Sequence, residues 1–125
     1  MKTLIDSSAW IDFFRGEGKA AAVEFLIGEN FAITNDLILA ELEPFLAVRK
    51  EKKVISLLRE LEKEPLTIQW DEIIRMQTTC LSNGINGVGI PDLIIAQNAL
   101  QHNLKLLTND RHFALLKKHF HLELY

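Results

Sequence analysis

The residues most able to do chemistry in this chain are four carboxylates. Asp6 closes the strand-like run KTLID, and Asp110 follows the run LKLLT within the stretch LLTNDRHF. Both are therefore predicted at the carboxyl edge of one parallel sheet, where open α/β sheets bind their ligands. Taken singly, each also suits a helix N-cap, where an Asp side chain accepts backbone N–H groups. Glu41 is harder to place. On a helical wheel it falls with Leu37, Ile38, Phe45 and Val48, inside the apolar arc. An unpaired carboxylate buried there costs on the order of several kcal/mol, so it needs a cation, a donor or a proton. A buried salt bridge is the plainer alternative, and the neighbouring Glu43 points elsewhere and reads as structural. Asp92, in GIPDLIIAQNAL, shares a helical face with Ile95, Ala96 and Ala99. The alanines let that helix approach the sheet closely and carry Asp92 inward, although a helix cap explains it too.

If the four acids meet, each raises the proton affinity of the others. A hard divalent cation removes that conflict. Magnesium takes oxygen ligands, keeps several waters and uses one or two carboxylates directly. Such a site serves phosphate chemistry, by polarising a phosphoryl oxygen and activating water. Ser8, Thr108 and Asn109 are the nearby polar side chains able to orient water or phosphate.

The elements that must position these groups alternate. KTLID, FAIT, LTIQ, LKLLT and HLELY read as strands, and the segments 8–16, 19–28, 35–64, 71–84, 91–103 and 110–119 as helices. That alternation predicts an α/β domain with a mainly parallel sheet of about five strands, spanning residues 1–125 as a single domain. Ser7 or Ser8 can cap the first helix, Gly28 can stop the second, and Pro91 suits a first turn. Pro44 removes an amide donor and is expected to kink or divide the long central helix.

Composition sets the outer bounds. With 125 residues, 48% hydrophobic and 25% charged, the chain has an ordinary globular balance, which excludes disordered and collagen-like classes. No apolar run approaches a membrane span and no signal-peptide pattern opens the chain, so a cytoplasmic protein with no membrane contact is expected. The lone Cys80 can close no internal disulfide and reads as a core thiol. A net charge of -3 argues against indiscriminate nucleic-acid binding, yet Arg49, Lys50, Lys52 and Lys53 cluster in VRKEKK. They are either a solvated helix face or a patch that contacts RNA phosphates.

LIDSSAWIDFF, AITNDLILAELE, GIPDLIIAQNAL and LLTNDRHF, in that order over nearly the whole chain, resemble the PIN-domain family, in particular its VapC-type ribonuclease toxins. The resemblance implies a PIN-like three-layer α/β/α sandwich. It matches Asp6, Glu41, Asp92 and Asp110 to the family's four acids, with Ser8 and Thr108 where relatives carry polar side chains. It implies an Mg2+- or Mn2+-dependent endoribonuclease in which Asp6 and Asp92 are direct metal ligands, with Glu41 and Asp110 supporting a second metal or the waters. It also implies a homodimer and a cognate VapB-like antitoxin. Phe13, Phe14, Ile73, Ile74 and Met76 are candidates for those surfaces, with core packing as the plainer reading. Trp10 and Trp70 read as core residues, with base stacking as the alternative.

Other motifs carry less. GINGVG follows a helix and lacks the lysine of a phosphate loop, so it reads as a loop that admits Asp92. His102, His112, His119 and His121 have no zinc-like spacing with cysteine and read as surface residues. Against the nuclease reading stand a non-catalytic PIN-like module whose acids anchor a basic partner, and a phosphoacceptor receiver-like domain.

Overall fold

The computed structural model describes residues 1–125. The chain runs β1 (Thr3–Ile5), α1 (Ser7–Arg15), α2 (Ala20–Gly28), β2 (Ala32–Thr34), α3 (Asp36–Val48), α4 (Lys52–Glu60), β3 (Glu62–Lys63), α5 (Trp70–Ser82), α6 (Ile90–Gln101), β4 (Lys105–Leu107) and α7 (His112–Phe120). All strand pairs are parallel, in the order β3-β2-β1-β4. Every residue of β1 and β2 is buried, which requires helices on both faces and gives the three-layer α/β/α arrangement. Strand order reverses between β1 and β4. The chain ends of those two strands, where Asp6 and Asp110 lie, therefore flank the switch point of the sheet.

The sheet has four strands rather than five, and two of the expected strands are reassigned. LTIQ forms no strand because side chains of α6 take the place of a neighbouring strand. Gln97 accepts from the Gln69 amide at 3.1 Å and donates to its carbonyl at 3.2 Å. Asn98 donates to the Pro65 carbonyl at 3.0 Å and Gln101 to that of Thr67 at 2.8 Å. With its backbone groups so satisfied, the segment has no need of a ladder. The edge strand is instead β3, within the tail of the predicted central helix. HLELY contributes a single parallel bridge, Leu106 to Leu124, beside β4.

The central helix divides, but not at Pro44, which stays inside α3 on an exposed face. The break comes at residues 49–51. Lys50 adopts a left-handed φ of 58°, its amide bonds the Ala47 carbonyl, and the Glu51 amide bonds that of Leu46. These two bonds close a Schellman turn, with lysine where glycine is usual. At the other end Asn35 caps α3, accepting from the Ile38 amide at 2.8 Å. Its own amide donates to Asn98 of α6 at 3.0 Å, so one fully buried pair ties the helix bearing Glu41 to the helix bearing Asp92.

The remaining core follows the apolar pattern. Trp10, Ile73, Met76 and Cys80 are buried, and burial pushes the Cys80 thiol upward in pKa. Ile95, Ala96 and Ala99 are wholly buried, as the small-residue face of α6 predicts. Trp70 is not core; it begins α5 and is 57% exposed. No helix is long and apolar enough to cross a membrane.

Candidate active site

Asp6 is the first residue beyond β1 and the N-cap of α1, a place expected for Ser7 or Ser8. Its Oδ1 accepts from the Ser7 amide at 2.8 Å. Its Oδ2 accepts from the hydroxyls of Ser8 at 2.9 Å and Thr108 at 2.8 Å. The last contact follows from register: Ile5 stands opposite Leu107, so the next pair across the sheet is Asp6 and Thr108. Asp6 is buried, and these donors fix its carboxylate in one orientation. The capping and functional readings of this aspartate coexist.

Ser8 and Thr108 extend the arrangement. The Ser8 hydroxyl accepts from the Asn109 amide at 2.9 Å, and that of Thr108 accepts from the Asp110 amide at 3.0 Å. The turn after β4 is thereby locked onto the start of α1. The Asn109 side chain donates to Asp12 at 3.3 Å.

Glu41 lies at the rim of this site rather than within an apolar arc. The buried face of α3 is Ile38, Leu39, Leu42 and Leu46, while Val48 is 82% exposed. Apolar residues occur all round α3, so a wheel alone could not single out the inner face. The Ser7 hydroxyl lies 3.3 Å from Glu41 Oε1 and 3.4 Å from Asp6 Oδ1, so the two acids share a neighbour. Partial burial, then the charges of Asp6 and Asp92, hold the Glu41 carboxyl above its ordinary pKa, against the lowering effect of Ser7. Glu43 is indeed structural; it pairs with Arg59 of α4, which lowers its pKa.

Asp92 stands half-buried in the first turn of α6, with Oδ2 3.4 Å from the Gly89 amide. Burial raises its pKa most, followed by the charges of Asp110 and Asp6, against the opposing pull of the Gly89 amide and His112. Asp110 Oδ1 accepts from the His112 amide at 2.9 Å and lies 3.0 Å from the His112 Nδ1. One ligand atom each from Asp92, Asp110 and His112 falls within a mutual 4.8 Å.

The fold therefore sets Asp6 beside Glu41 through the shared Ser7 hydroxyl and Asp92 beside Asp110 and His112, and only this second group brings its ligand atoms close enough to one another to share a single ion. Carboxylates that raise one another's proton affinity form a donor set suited to a hard divalent ion. The basic cluster named from the sequence lies apart, at the end of α3 and the start of α4: Arg49, Lys50, Lys52 and Lys53 are all exposed, whereas Arg111 lies beside Asp110. Arg49 stacks on Phe45, its guanidinium 3.8 Å from the ring centre.

Sequence reasoning missed three neighbours. His112 was read as a surface residue, although its place two residues after Asp110 keeps it at the same sheet edge. Ser7 was read only as a cap. Asp12, one helical turn after Ser8, is buried and accepts from the Lys19 amide at 3.0 Å as well as from Asn109. Gly18 passes so close to Asp12 that any side chain there would collide with it. The i, i+4 spacing of Ser8 and Asp12 was the available signal.

Comparison with known proteins bears on the fold and the family. No curated protein matches the chain. Among solved structures, VapBC2 of Rickettsia felis bound to a promoter DNA fragment is similar with a TM-score of 0.75 and 20% identity, over 100% of this chain and 98% of that one. FitAcB of Neisseria gonorrhoeae is similar with a TM-score of 0.71 and 17% identity, over 98% and 96%. VapBC-1 of nontypeable Haemophilus influenzae gives a TM-score of 0.72 and 21% identity, over 100% and 97%. The family model of the PIN domain matches residues 3–118, and the chain therefore belongs to the PIN domain family.

Proposed function

We propose that this chain is a divalent-metal-dependent endoribonuclease, the toxin of a type II toxin–antitoxin pair, acting in the cytoplasm on single-stranded or loop RNA. The observation that supports the proposal is that two acid pairs, Asp6 with Glu41 and Asp92 with Asp110, come from four distant points of the chain to the region of the sheet's switch point. A structural role needs one cap at a time; it gives no reason to assemble four mutually repelling acids.

Asp6 and Asp92 would hold Mg2+ or Mn2+, with Glu41 and Asp110 supporting a second ion or its waters, and His112 offering a nitrogen donor beside Asp110. Bound there, the ion would supply Lewis acidity toward the scissile phosphate and lower the pKa of water. The protein's own contributions are distinct. Ser7, Ser8 and Thr108 orient Asp6, as partners beyond the ligands do in metal sites. Glu41, at the rim with raised proton affinity, is suited to take a proton from an attacking water at a carboxylate oxygen. Glu41 and Asp92 would release their protons on metal binding, so affinity rises with pH.

Two apolar surfaces support the reading of the partners. A cleft of about 520 Å³ between α1 and α4, lined by Trp10, Phe13, Phe14, Leu57 and Leu61, is the surface we assign to a VapB-like antitoxin. Trp70, Ile74 and Leu81 are each more than half exposed and recur on one face of α5, which we assign to a homodimer contact.

The test is a panel of single-stranded and hairpin RNAs incubated with Mg2+, Mn2+ or EDTA, beside Asp92→Asn. Metal-dependent cutting by the wild type that the variant lacks is the expected result. Equal behaviour of the two proteins, with or without metal, overturns the nuclease and favours a binding module.

A further inference from the structure

Glu41, Phe45 and Arg49 follow one another at i, i+4 and i+8 along one face of α3. That face starts at the acidic site and ends, about 12 Å further on, at a second cleft of about 290 Å³ lined by Phe14, Arg15, Phe45, Arg49 and Glu51, which adjoins the larger apolar cleft at Phe14 and Val54. The helix α1 runs alongside: its start, Ser7, lies against Glu41, and its end supplies Phe14 and Arg15 to the cleft. The two helices thus form a continuous track from the four acids to a pocket with two aromatic side chains and two guanidinium groups.

We propose that this cleft is a nucleotide subsite, which holds one unpaired base of the RNA strand and its phosphate at a distance from the scissile bond. The proposal rests on the nuclease reading above and names how that site holds its substrate. Each part of the cleft has a matching part of a nucleotide. Arg49 Cζ lies over the Phe45 ring, 3.8 Å from its centre, which puts a cation and an aromatic side chain together as a platform for stacking a base. Arg15 is exposed at the end of α1 and has a guanidinium suited to bidentate contact with phosphate. Glu51 repels phosphate but accepts from the amino group of a base edge, which orients the base inward and the backbone outward. The four acids cannot attract an RNA strand, so affinity must come from cations outside the metal pocket.

A peptide is the other macromolecule that could lie here, but the apolar cleft beside α4 suits one better. The smaller cleft combines cations and aromatic faces, the pairing that single-stranded nucleic acid uses.

The experiment measures binding of a short single-stranded RNA carrying 2-aminopurine, in EDTA so that no cleavage occurs, by fluorescence across a salt series. The proteins are wild type, Arg49→Ala, Arg15→Ala, Phe45→Leu, and Lys118→Ala as an exposed control on α7. Wild type is expected to quench or shift the fluorophore. Arg49→Ala and Phe45→Leu are expected to lower affinity about tenfold. Each arginine removed from a phosphate contact should also reduce the log–log salt slope by about 0.7, which a purely structural change would not do. Cutting of RNA by all the variants at wild-type affinity and slope overturns the subsite while leaving the nuclease intact. Absence of both RNA binding and metal-dependent cutting in the wild type overturns both readings. Unchanged RNA affinity with weakened binding of an antitoxin peptide makes the cleft a protein-docking site and overturns the proposal.

Discussion

Thr108 donates to Asp6 Oδ2 at 2.8 Å from directly across the β1–β4 pair, so the register of the sheet itself aims the first acid of the site. The same hydroxyl accepts from the Asp110 amide at 3.0 Å, which makes Thr108 the joint between two of the four carboxylates. Thr108→Val keeps the shape and removes both bonds, together with the 3.2 Å contact to the Ser8 hydroxyl. We expect metal affinity or cleavage to fall roughly 10- to 100-fold, the usual cost of losing a partner behind a metal ligand. Stability should drop by about 1 kcal/mol per hydrogen bond lost. Calorimetric metal titration beside thermal melting separates the two effects, and an unchanged metal affinity would show that Thr108 only braces the turn.

In the metal-free protein Glu41 and Asp92 should contribute a loss of stability as pH rises out of the acid range, opposed by Glu43, whose pKa Arg59 lowers. Glu41 and Asp92 have folded-state pKa values above their ordinary values, so between the ordinary and raised values the folded state binds more protons than the unfolded one. Stability therefore falls with rising pH through that window and is lowest, for these groups, once both are ionised. Asp92→Asn removes one charge and should raise Tm at neutral pH while flattening this dependence. Saturating Mg2+ should raise the wild-type Tm by mass action and leave the variant less affected. A variant that melts below the metal-free wild type at neutral pH contradicts this account.

Glu41 and Glu43 sit two residues apart on α3 and should respond oppositely to loss of charge. Glu41→Gln should leave the fold intact and abolish the proposed metal-dependent cutting. Glu43→Gln breaks the exposed pair with Arg59, an interaction of small and salt-sensitive value, and leaves cutting unchanged. RNA cleavage assays on both variants at two ionic strengths decide the matter.

The exposed stripe on α5 predicts that Ile74→Glu yields a monomer. Ile74 is 62% exposed, so the substitution costs the isolated fold little, whereas a charge at the centre of a symmetric apolar contact opposes association. Light scattering after size exclusion reads the mass directly. A dimer retained by the variant would move the contact elsewhere.

These relationships were unevenly legible in the sequence. Asp6 and Asp110 could be placed because a strand end is a local signal, and a parallel sheet brings strand ends together whatever the intervening chain does. Asp92 could be placed because Ala96 and Ala99 mark the close-packing face of its helix. For Glu41 the wheel argument fails, because α3 has apolar residues on nearly every face and the acid lies at a rim beside Ser7 rather than in an arc; the resemblance of AITNDLILAELE is what pointed to it. The edge of the sheet was illegible for a different reason. LTIQ carries a strand-like pattern, but the side-chain amides of Gln97, Asn98 and Gln101 take its backbone bonds, and such long-range competition leaves no trace in a short window. His112 escaped because a histidine without a cysteine partner carries no spacing signal, and only the turn after β4 brings it to Asp110.

Asn35 and Asn98 give the last test, because they fix the distance between helices that carry opposite sides of the site. The bond between them is buried, and Asn98 also donates to the Pro65 carbonyl at 3.0 Å. Asn98→Ala leaves the Asn35 amide and that carbonyl without partners, at a cost of about 1–3 kcal/mol for each buried group. Asn35→Ser retains a capping oxygen for α3 and removes only the bridge to α6. The serine variant should therefore melt closer to wild type than the alanine variant, yet share its weakened metal binding, since Glu41 and Asp92 would no longer be held in register. Equal metal affinity in wild type and Asn35→Ser, measured by calorimetry well below both melting temperatures, would confine the pair to a role in stability.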